Sequence, residues 1–236
     1  MERRDFLKLA TGSLASMALL QSFPTIANSA STRNPILNLP TSDTPRLAWT
    51  VDDGCSQAAL ERYIQFATEN NLRFTFFVYS AVSPWKNIVP ILKPLVETGQ
   101  IQLANHTHTH PDLTKLTYAQ VQDELMKCHR FINKNYGVDA RPYFRAPYGA
   151  FNHTVIQAAA DIGYTMPMFW SGSLADAQTP QAGRLLYHAS NSIQDRGILL
   201  AHANNLVSSQ HFNQMLKMVN DRNLSLVTLN DAFLNS

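Results

Sequence analysis

Between residues 46 and 229 the chain alternates short apolar runs with longer stretches of helical periodicity, and this alternation limits the fold more than any other feature. Residues 46–51 read as a strand. Residues 57–70 carry Leu60, Tyr63, Ile64 and Ala67 at helical spacing, with Asn70 and Asn71 as the stop. Residues 73–79 are aromatic and branched, as in a strand covered on both faces. A helix over 88–98 tolerates Pro90 early, is interrupted by Pro94 and stops at Gly99, and 101–104 is the next strand. Thr117 and Gln120 form a capping box that opens a helix with Val121, Leu125, Cys128, Phe131 and Ile132 on one face, closed by Gly137. Strands at 142–145, 164–170, 198–202 and 225–229 alternate with helices at 152–162, about 181–194 and 208–222, and a final helical turn follows at 231–234. Strand–helix alternation of this kind builds a parallel sheet with helices outside it. About seven strands come near enough to closure to predict a single-domain α/β fold, a distorted (β/α) barrel.

The polar residues fall where such a barrel keeps its active site. Asp52, Asp53, His106, His110, Arg145 and His202 all lie at the C-terminal ends of predicted strands or just beyond. Three of the eight histidines crowd into residues 106–110. An extended segment would put His106, His108 and His110 on one side, whereas a helical turn would pair His106 with His110 and turn His108 away. In either form His106 and His110 can share a metal. Two imidazoles and one carboxylate from the Asp52-Asp53-Gly54 turn make a three-ligand set with open positions, as catalytic zinc requires.

Composition narrows the partners. A net charge of +2 with no block of like charges argues against nucleic acid and against an anionic membrane, and is compatible with a neutral polymer such as a glycan. Residues 1–30 read as a targeting segment. Arg3 and Arg4 precede a mildly apolar run over 9–20, then come Pro24 and small residues around Ala27 and Ala30, a pattern similar to a twin-arginine export signal. The run is shorter than a permanent membrane span, and no cysteine near it suggests a lipid anchor. The expectation is export to the periplasm or the extracellular space, without a stable membrane anchor in the mature form. Residues 31–44 read as a linker to a catalytic domain at 45–236. Of the two cysteines, Cys128 sits in a helical pattern as a small buried apolar side chain and Cys55 begins a loop, so no disulfide is expected between them.

Five motifs stand in one order: TVDDG at 50–54, HTHTHPDL at 106–113, RAPYG at 145–149, WSGSLAD at 170–176 and LAH at 200–202, with TFFV at 75–78 after the first. Together they resemble the polysaccharide deacetylases, the NodB-like carbohydrate esterases, over about residues 46–230. The resemblance implies that Asp53, His106 and His110 hold the metal, Asp52 is the general base and His202 the general acid. It further implies that Arg145 orients Asp52, that the backbone N–H of Tyr148 helps hold the oxyanion, and that Leu200 lines the pocket for the acetyl methyl, with Pro147 and Trp170 also contacting substrate. Asp176 is the carboxylate expected to raise the pKa of His202. These roles are those that amide hydrolysis needs: a polarised carbonyl, an activated water, a stabilised oxyanion and a proton for the amine.

The fourth motif departs from the family pattern of two Asp and a Trp, having Ser173, Asp176 and Ala177. Val51 replaces the usual Phe of the first. The activity expected is metal-dependent removal of N-acetyl, or O-acetyl, groups from an acetylated polysaccharide or oligosaccharide of the cell envelope or the medium. Zinc is the expected ion, with cobalt or nickel admitted by the same ligands. The altered fourth motif leaves an alternative, a glycan-binding protein that keeps fold and metal but has lost turnover. A third candidate is a non-haem iron oxygenase using two His and one carboxylate, disfavoured by the paired acid and base.

Overall fold

A computed structural model of the protein describes residues 34–234, so the export-signal reading of residues 1–30 lies outside the described residues. Eight strands are β1 (Arg46–Asp53), β2 (Phe74–Val78), β3 (Ile101–Asn105), β4 (Tyr143–Phe144), β5 (Met166–Pro167), β6 (Gly172–Ser173), β7 (Gly197–His202) and β8 (Ser225–Leu226). Seven of them form one curled parallel sheet in the order β5-β4-β3-β2-β1-β7-β6, and β8 pairs with the first residues of β1, on the side where β2 begins further up. The helices are α1 (Gln57–Asn70), α2 (Pro84–Asn87), α3 (Val89–Glu97), α4 (Tyr118–Tyr136), α5 (His153–Ala160), α6 (Ala182–Ser192), α7 (Phe212–Asp221) and α8 (Leu229–Phe233). This is the expected single-domain barrel of about seven parallel strands, open between β5 and β6.

Period-two alternation sorts the side chains of β1. Leu47, Trp49 and Val51 point outward into the core shared with the helices, where Trp49 meets Tyr63 of α1, Phe74 of β2 and Phe212 of α7 edge to face. Ala48 points into the barrel beside Phe77, Ala104, Tyr143 and Ile198. Thr50 and Asp52, two and four residues on from Ala48, carry the same face up to the rim, so strand geometry alone delivers Asp52 to the C-terminal end of the barrel.

The bottom of the barrel is stoppered. Leu229 and Ala232 of α8 pack into the inner cluster. The N–H of Leu229 donates to Thr75 Oγ1 (3.1 Å) and that of Asn230 to Gln102 Oε1 (2.9 Å), so the buried polar side chains of the lower barrel are satisfied by this helix.

Several boundaries differ from the sequence expectations. Residues 36–39, expected within a linker, cross the open side of the barrel instead. Ile36 pairs with Met168, Asn38 pairs with Gly197, and Leu39 is buried in the inner cluster, because the gap between the β5 and β7 edges would otherwise leave backbone groups and apolar side chains uncovered. The strand expected at 225–229 ends at Leu226, because Thr228 and Asp231 form a capping box that starts α8. The helix expected over 88–98 is preceded by the short α2, with the break at Ile88. The helix expected from 208 opens as a 3-10 turn, Ser208–His211. Both cysteines are free, Cys55 exposed and Cys128 buried. Among the described residues no helix is long and apolar enough to cross a membrane.

Candidate functional site

The rim of the barrel brings Asp53, His106 and His110 together. β1 ends at Asp53 in a left-handed conformation (φ 68°), followed by Gly54 at φ 81°. A Cβ on Gly54 would lie 2.5 Å from the ring of Trp85, and that ring's Nε1 donates to the Asp53 carbonyl at 2.7 Å, so the turn is built around a glycine and wedged by a tryptophan. His106 follows β3. Thr107 (φ 72°) and His110 (φ 58°) then turn the chain back on itself, and the N–H of His110 donates to Thr107 Oγ1 at 3.1 Å. The histidine segment is thus neither the extended run nor the helical turn weighed from spacing. The double bend brings the rings of His106 and His110 to a centroid distance of 4.9 Å, while His108 turns aside to Ser80 (3.0 Å).

Asp53 Oδ1 lies 3.2 Å from His106 Nε2 and 3.1 Å from His110 Nε2, and is buried with no hydrogen-bond partner among the described residues. The Arg145 carbonyl, 2.8 Å from His106 Nδ1, can only accept, which assigns the hydrogen to Nδ1. A neutral His106 therefore turns a bare lone pair on Nε2 toward a carboxylate oxygen. Acceptor facing acceptor repels; burial opposes a charge on the ring, but Asp52, Asp53 and the Arg145 carbonyl outweigh it and raise the His106 pKa, so in the metal-free site a proton meets Asp53 where a metal ion would otherwise sit. Burial alone would raise the Asp53 carboxyl, but the His106 and His110 rings and the Asn204 amide outweigh it and hold the group far below the usual carboxylate range. The donor set, two imidazoles and one carboxylate whose ligand atoms all lie within 4.8 Å of one another, fits a divalent metal with positions to spare.

Asp52 stands on one side of this cluster. Its Oδ1 accepts from Arg145 Nη1 at 2.6 Å, and its Oδ2 lies 3.7 Å from His106 Nε2. Arg145 is fully engaged. Nη1 also donates to Thr50 Oγ1 (2.9 Å), Nη2 donates to the Phe169 carbonyl (2.9 Å), and the guanidinium sits 4.1 Å above the ring of Phe77. A planar cation held by several acceptors and a ring has little freedom, so the carboxylate it holds has little either.

His202 ends β7, the strand beside β1, paired in register with Asp52. Asp176 takes the His202 backbone N–H on Oδ2 (3.2 Å) and faces its Nδ1 with Oδ1 (3.0 Å), and Ser208 Oγ donates to the same carboxylate. Burial lowers the pKa of His202, but the Asp176 contact and the charges of Asp52, Asp176 and Asp53 outweigh it and leave the imidazole above its ordinary value. Leu200, two residues back on the same strand, is nearly buried. Tyr148 is 73% exposed, with φ at 61°, and among the described residues nothing accepts its N–H. Pro147 is buried beneath it, and Trp170 stacks on Phe169 with ring centroids 4.8 Å apart.

Three residues that hold this geometry were not singled out in the sequence. Asn204 Nδ2 donates to Asp53 Oδ2 at 2.7 Å. Glu124 of α4 accepts the N–H groups of His108 (3.0 Å) and Thr109 (2.7 Å). Ser208 holds Asp176. Only Glu124 carries a readable signal, as a lone carboxylate on the apolar stripe of Val121, Leu125 and Cys128.

A family model described as polysaccharide deacetylase matches residues 40–167. A chitooligosaccharide deacetylase of Rhizobium leguminosarum bv. phaseoli is 27% identical over 158 residues, 67% of this chain and 68% of its own length. An uncharacterised Bacillus subtilis (strain 168) protein, YlxY, is 24% identical over 192 residues, 80% of this chain and 57% of its own, so the chain spans little more than half of that relative. In fold it is similar to the crystal structure of BA3943 from Bacillus anthracis, described as a CE4 family pseudoenzyme, with a TM-score of 0.73 at 20% identity over 84% of this chain and 68% of the other.

Proposed function

Since the chain belongs to the polysaccharide deacetylase family, we propose that it hydrolyses acetyl groups, N-acetyl in the first place, from an acetylated polysaccharide or oligosaccharide, with a divalent ion held by Asp53, His106 and His110. The observation that carries this reading is a three-donor cluster at the same rim as two oriented groups of opposite duty, Asp52 held by Arg145 and His202 held by Asp176. The ion, which we take to be zinc, polarises the carbonyl and favours an ionised water when bound.

The chain's own residues carry the protons. Asp52 accepts the proton of the attacking water at Oδ2, the oxygen that Arg145 leaves free, as the water oxygen bonds to the carbonyl carbon. The backbone N–H of Tyr148 donates to the oxygen that becomes negative. His202, oriented by Asp176 at Nδ1, gives a proton from Nε2 to the amine as the carbon–nitrogen bond breaks, leaving acetate and a free amino sugar. Leu200 lines the space for the methyl group, and Pro147 and Trp170 border the sugar. We further propose that residues 1–30 export the protein by the twin-arginine route, which suits a polymer outside the cytoplasm.

A second reading, a glycan-binding protein without turnover, is favoured by Ser173 standing where the family has an acidic residue and by the resemblance to a pseudoenzyme. Against it stands the retention of two oriented pairs, Asp52 with Arg145 and His202 with Asp176, which binding alone does not need. Acetate release from acetylated chitooligosaccharides and peptidoglycan fragments, measured on chelator-stripped protein with and without added zinc, separates the two. The expected result is zinc-dependent release that Asp52→Asn reduces by roughly a hundredfold or more. Zinc-loaded wild type that releases no acetate from either substrate overturns the enzyme reading in favour of the binder.

A further inference from the structure

The segment after β7 is laced to the turn after β1. The N–H of Ala203 donates to the Asp52 carbonyl (3.1 Å), and that of Ser56 to the Ala203 carbonyl (3.0 Å). Asn204 follows directly on Ala203, the residue that makes both bonds. Its Oδ1 accepts the N–H of Cys55 (3.3 Å), which fixes which end of the amide faces which way, and its Nδ2 donates to Asp53 Oδ2 at 2.7 Å. The other oxygen of that carboxylate, Oδ1, faces His106 and His110. The two oxygens of Asp53 therefore have separate duties, one tied to an amide that follows the doubly bonded Ala203 and is held at its other end by the Cys55 N–H, the other presented to the imidazoles.

We propose that Asn204 is a positioning residue that keeps Asp53 a one-oxygen ligand, and so leaves the remaining positions of the bound ion to water and substrate. The proposal rests on the metal-binding reading given above. An Asp53 without Asn204 can rotate and present both oxygens. That costs the preorganisation of the donor set and uses a coordination position that hydrolysis needs open.

The test is metal binding, read apart from activity. Asn204→Ala and Asn204→Leu remove the donor, and the thermal midpoints of the metal-free proteins report whether the fold survives. The zinc dissociation constant, measured by competition with a chromophoric chelator, should rise roughly 10–100-fold in both variants. The visible absorption of the cobalt-substituted variants should weaken relative to wild type, as expected when a second carboxylate oxygen enters the coordination shell. Unchanged affinity together with an unchanged cobalt spectrum overturns the proposal. Should the variants fail to fold, crystals of zinc-loaded wild type decide the question. Asn204 Nδ2 on Asp53 Oδ2 with the ion on Oδ1 alone supports the proposal, and both oxygens on the ion, or Asn204 turned away, overturns it. Wild type that binds no zinc takes down the metal-binding reading itself, a result distinct from wild type and variants that bind equally.

Discussion

His202 is gripped by Asp176 through both its backbone N–H and its ring, so orientation and proton affinity are controlled by one carboxylate. Burial works against the charged imidazole, and the carboxylates around it reverse that effect. The donor in the proposed reaction must be protonated when the amine leaves. A raised pKa therefore carries activity further into alkaline conditions than an ordinary imidazole would. Removing the charge of Asp176 takes away a hydrogen bond and one of the charges that favour the imidazolium, leaving burial with less opposition. Asp176→Asn should accordingly move the alkaline limb of the kcat/KM profile to lower pH as well as lowering its plateau. A profile that drops uniformly with its alkaline limb unmoved would mean that Asp176 only holds the ring in place. The other side of the site differs in kind. Arg145 and Asp52 are both buried and paired at 2.6 Å, a contact whose value lies in fixing which carboxylate oxygen is free.

α4 supports the metal loop from outside the barrel. Glu124 receives two backbone N–H groups from residues 108 and 109 with one oxygen and the Thr109 hydroxyl with the other (2.8 Å), and so holds the double bend that turns His110 back toward His106. Hydrogen bonds to a charged acceptor contribute about 1.5–3 kcal/mol each, and leaving the donors unpaired costs about as much. Glu124→Ala should therefore lower stability in urea by about 2–3 kcal/mol and weaken zinc binding at least about tenfold, while Glu124→Gln, which keeps an acceptor oxygen, should lose less of both. Equal zinc affinity in all three proteins would show that the bend is set by Thr107 and the left-handed residues alone. Elements such as this helix were legible in the sequence because their signals are local. Thr117 and Gln120 marked the start of α4, Gly137 marked its end at φ 78°, and the spacing of Leu60, Tyr63 and Ile64 marked α1. What was not legible depends on distant partners. Gly172 and Ser173 have no strand propensity and pair only because the β7 edge lies beside them. Leu226, Val227 and Leu229 resemble a continuing strand, and the Thr228–Asp231 cap overrides that resemblance. The same division holds at the rim. Carboxylates, imidazoles and an arginine at strand ends are conspicuous by type, whereas Asn204 and Ser208 could serve any loop until the fold places them against Asp53 and Asp176.

Along its axis the molecule separates the work of folding from the work of the rim. At the lower end Leu39, Leu229 and Ala232 close the barrel over an apolar interior, and at the upper end three carboxylates stand close together, Asp52 against the Arg145 guanidinium, Asp53 against the His106 and His110 rings and Asp176 against the His202 ring. Without a metal, the carboxylates of Asp52 and Asp53 favour a proton on His106, and a bound ion takes that proton's place at the upper end. The ion is then a ligand that the folded state binds and the unfolded chain does not, and its binding free energy adds to stability. At free zinc about a hundred times the dissociation constant the gain is about 2.7 kcal/mol. In a domain of this size each kcal/mol moves the midpoint by about 2–4 °C, so thermal unfolding should rise by about 5–10 °C. His106→Ala should abolish the increment. Leu229→Ala provides the control from the other end. Truncating a buried leucine costs about 2–5 kcal/mol and should lower the midpoint with and without zinc. The zinc increment itself should survive nearly intact, because the stopper and the donor cluster share no side chains and lie at opposite ends of the strands. A wild-type midpoint that ignores zinc would remove the ion from the account. An increment that shrinks in Leu229→Ala would instead show that the two ends are mechanically joined, with closure of the bottom setting the separation of the strands that carry Asp53 and His106.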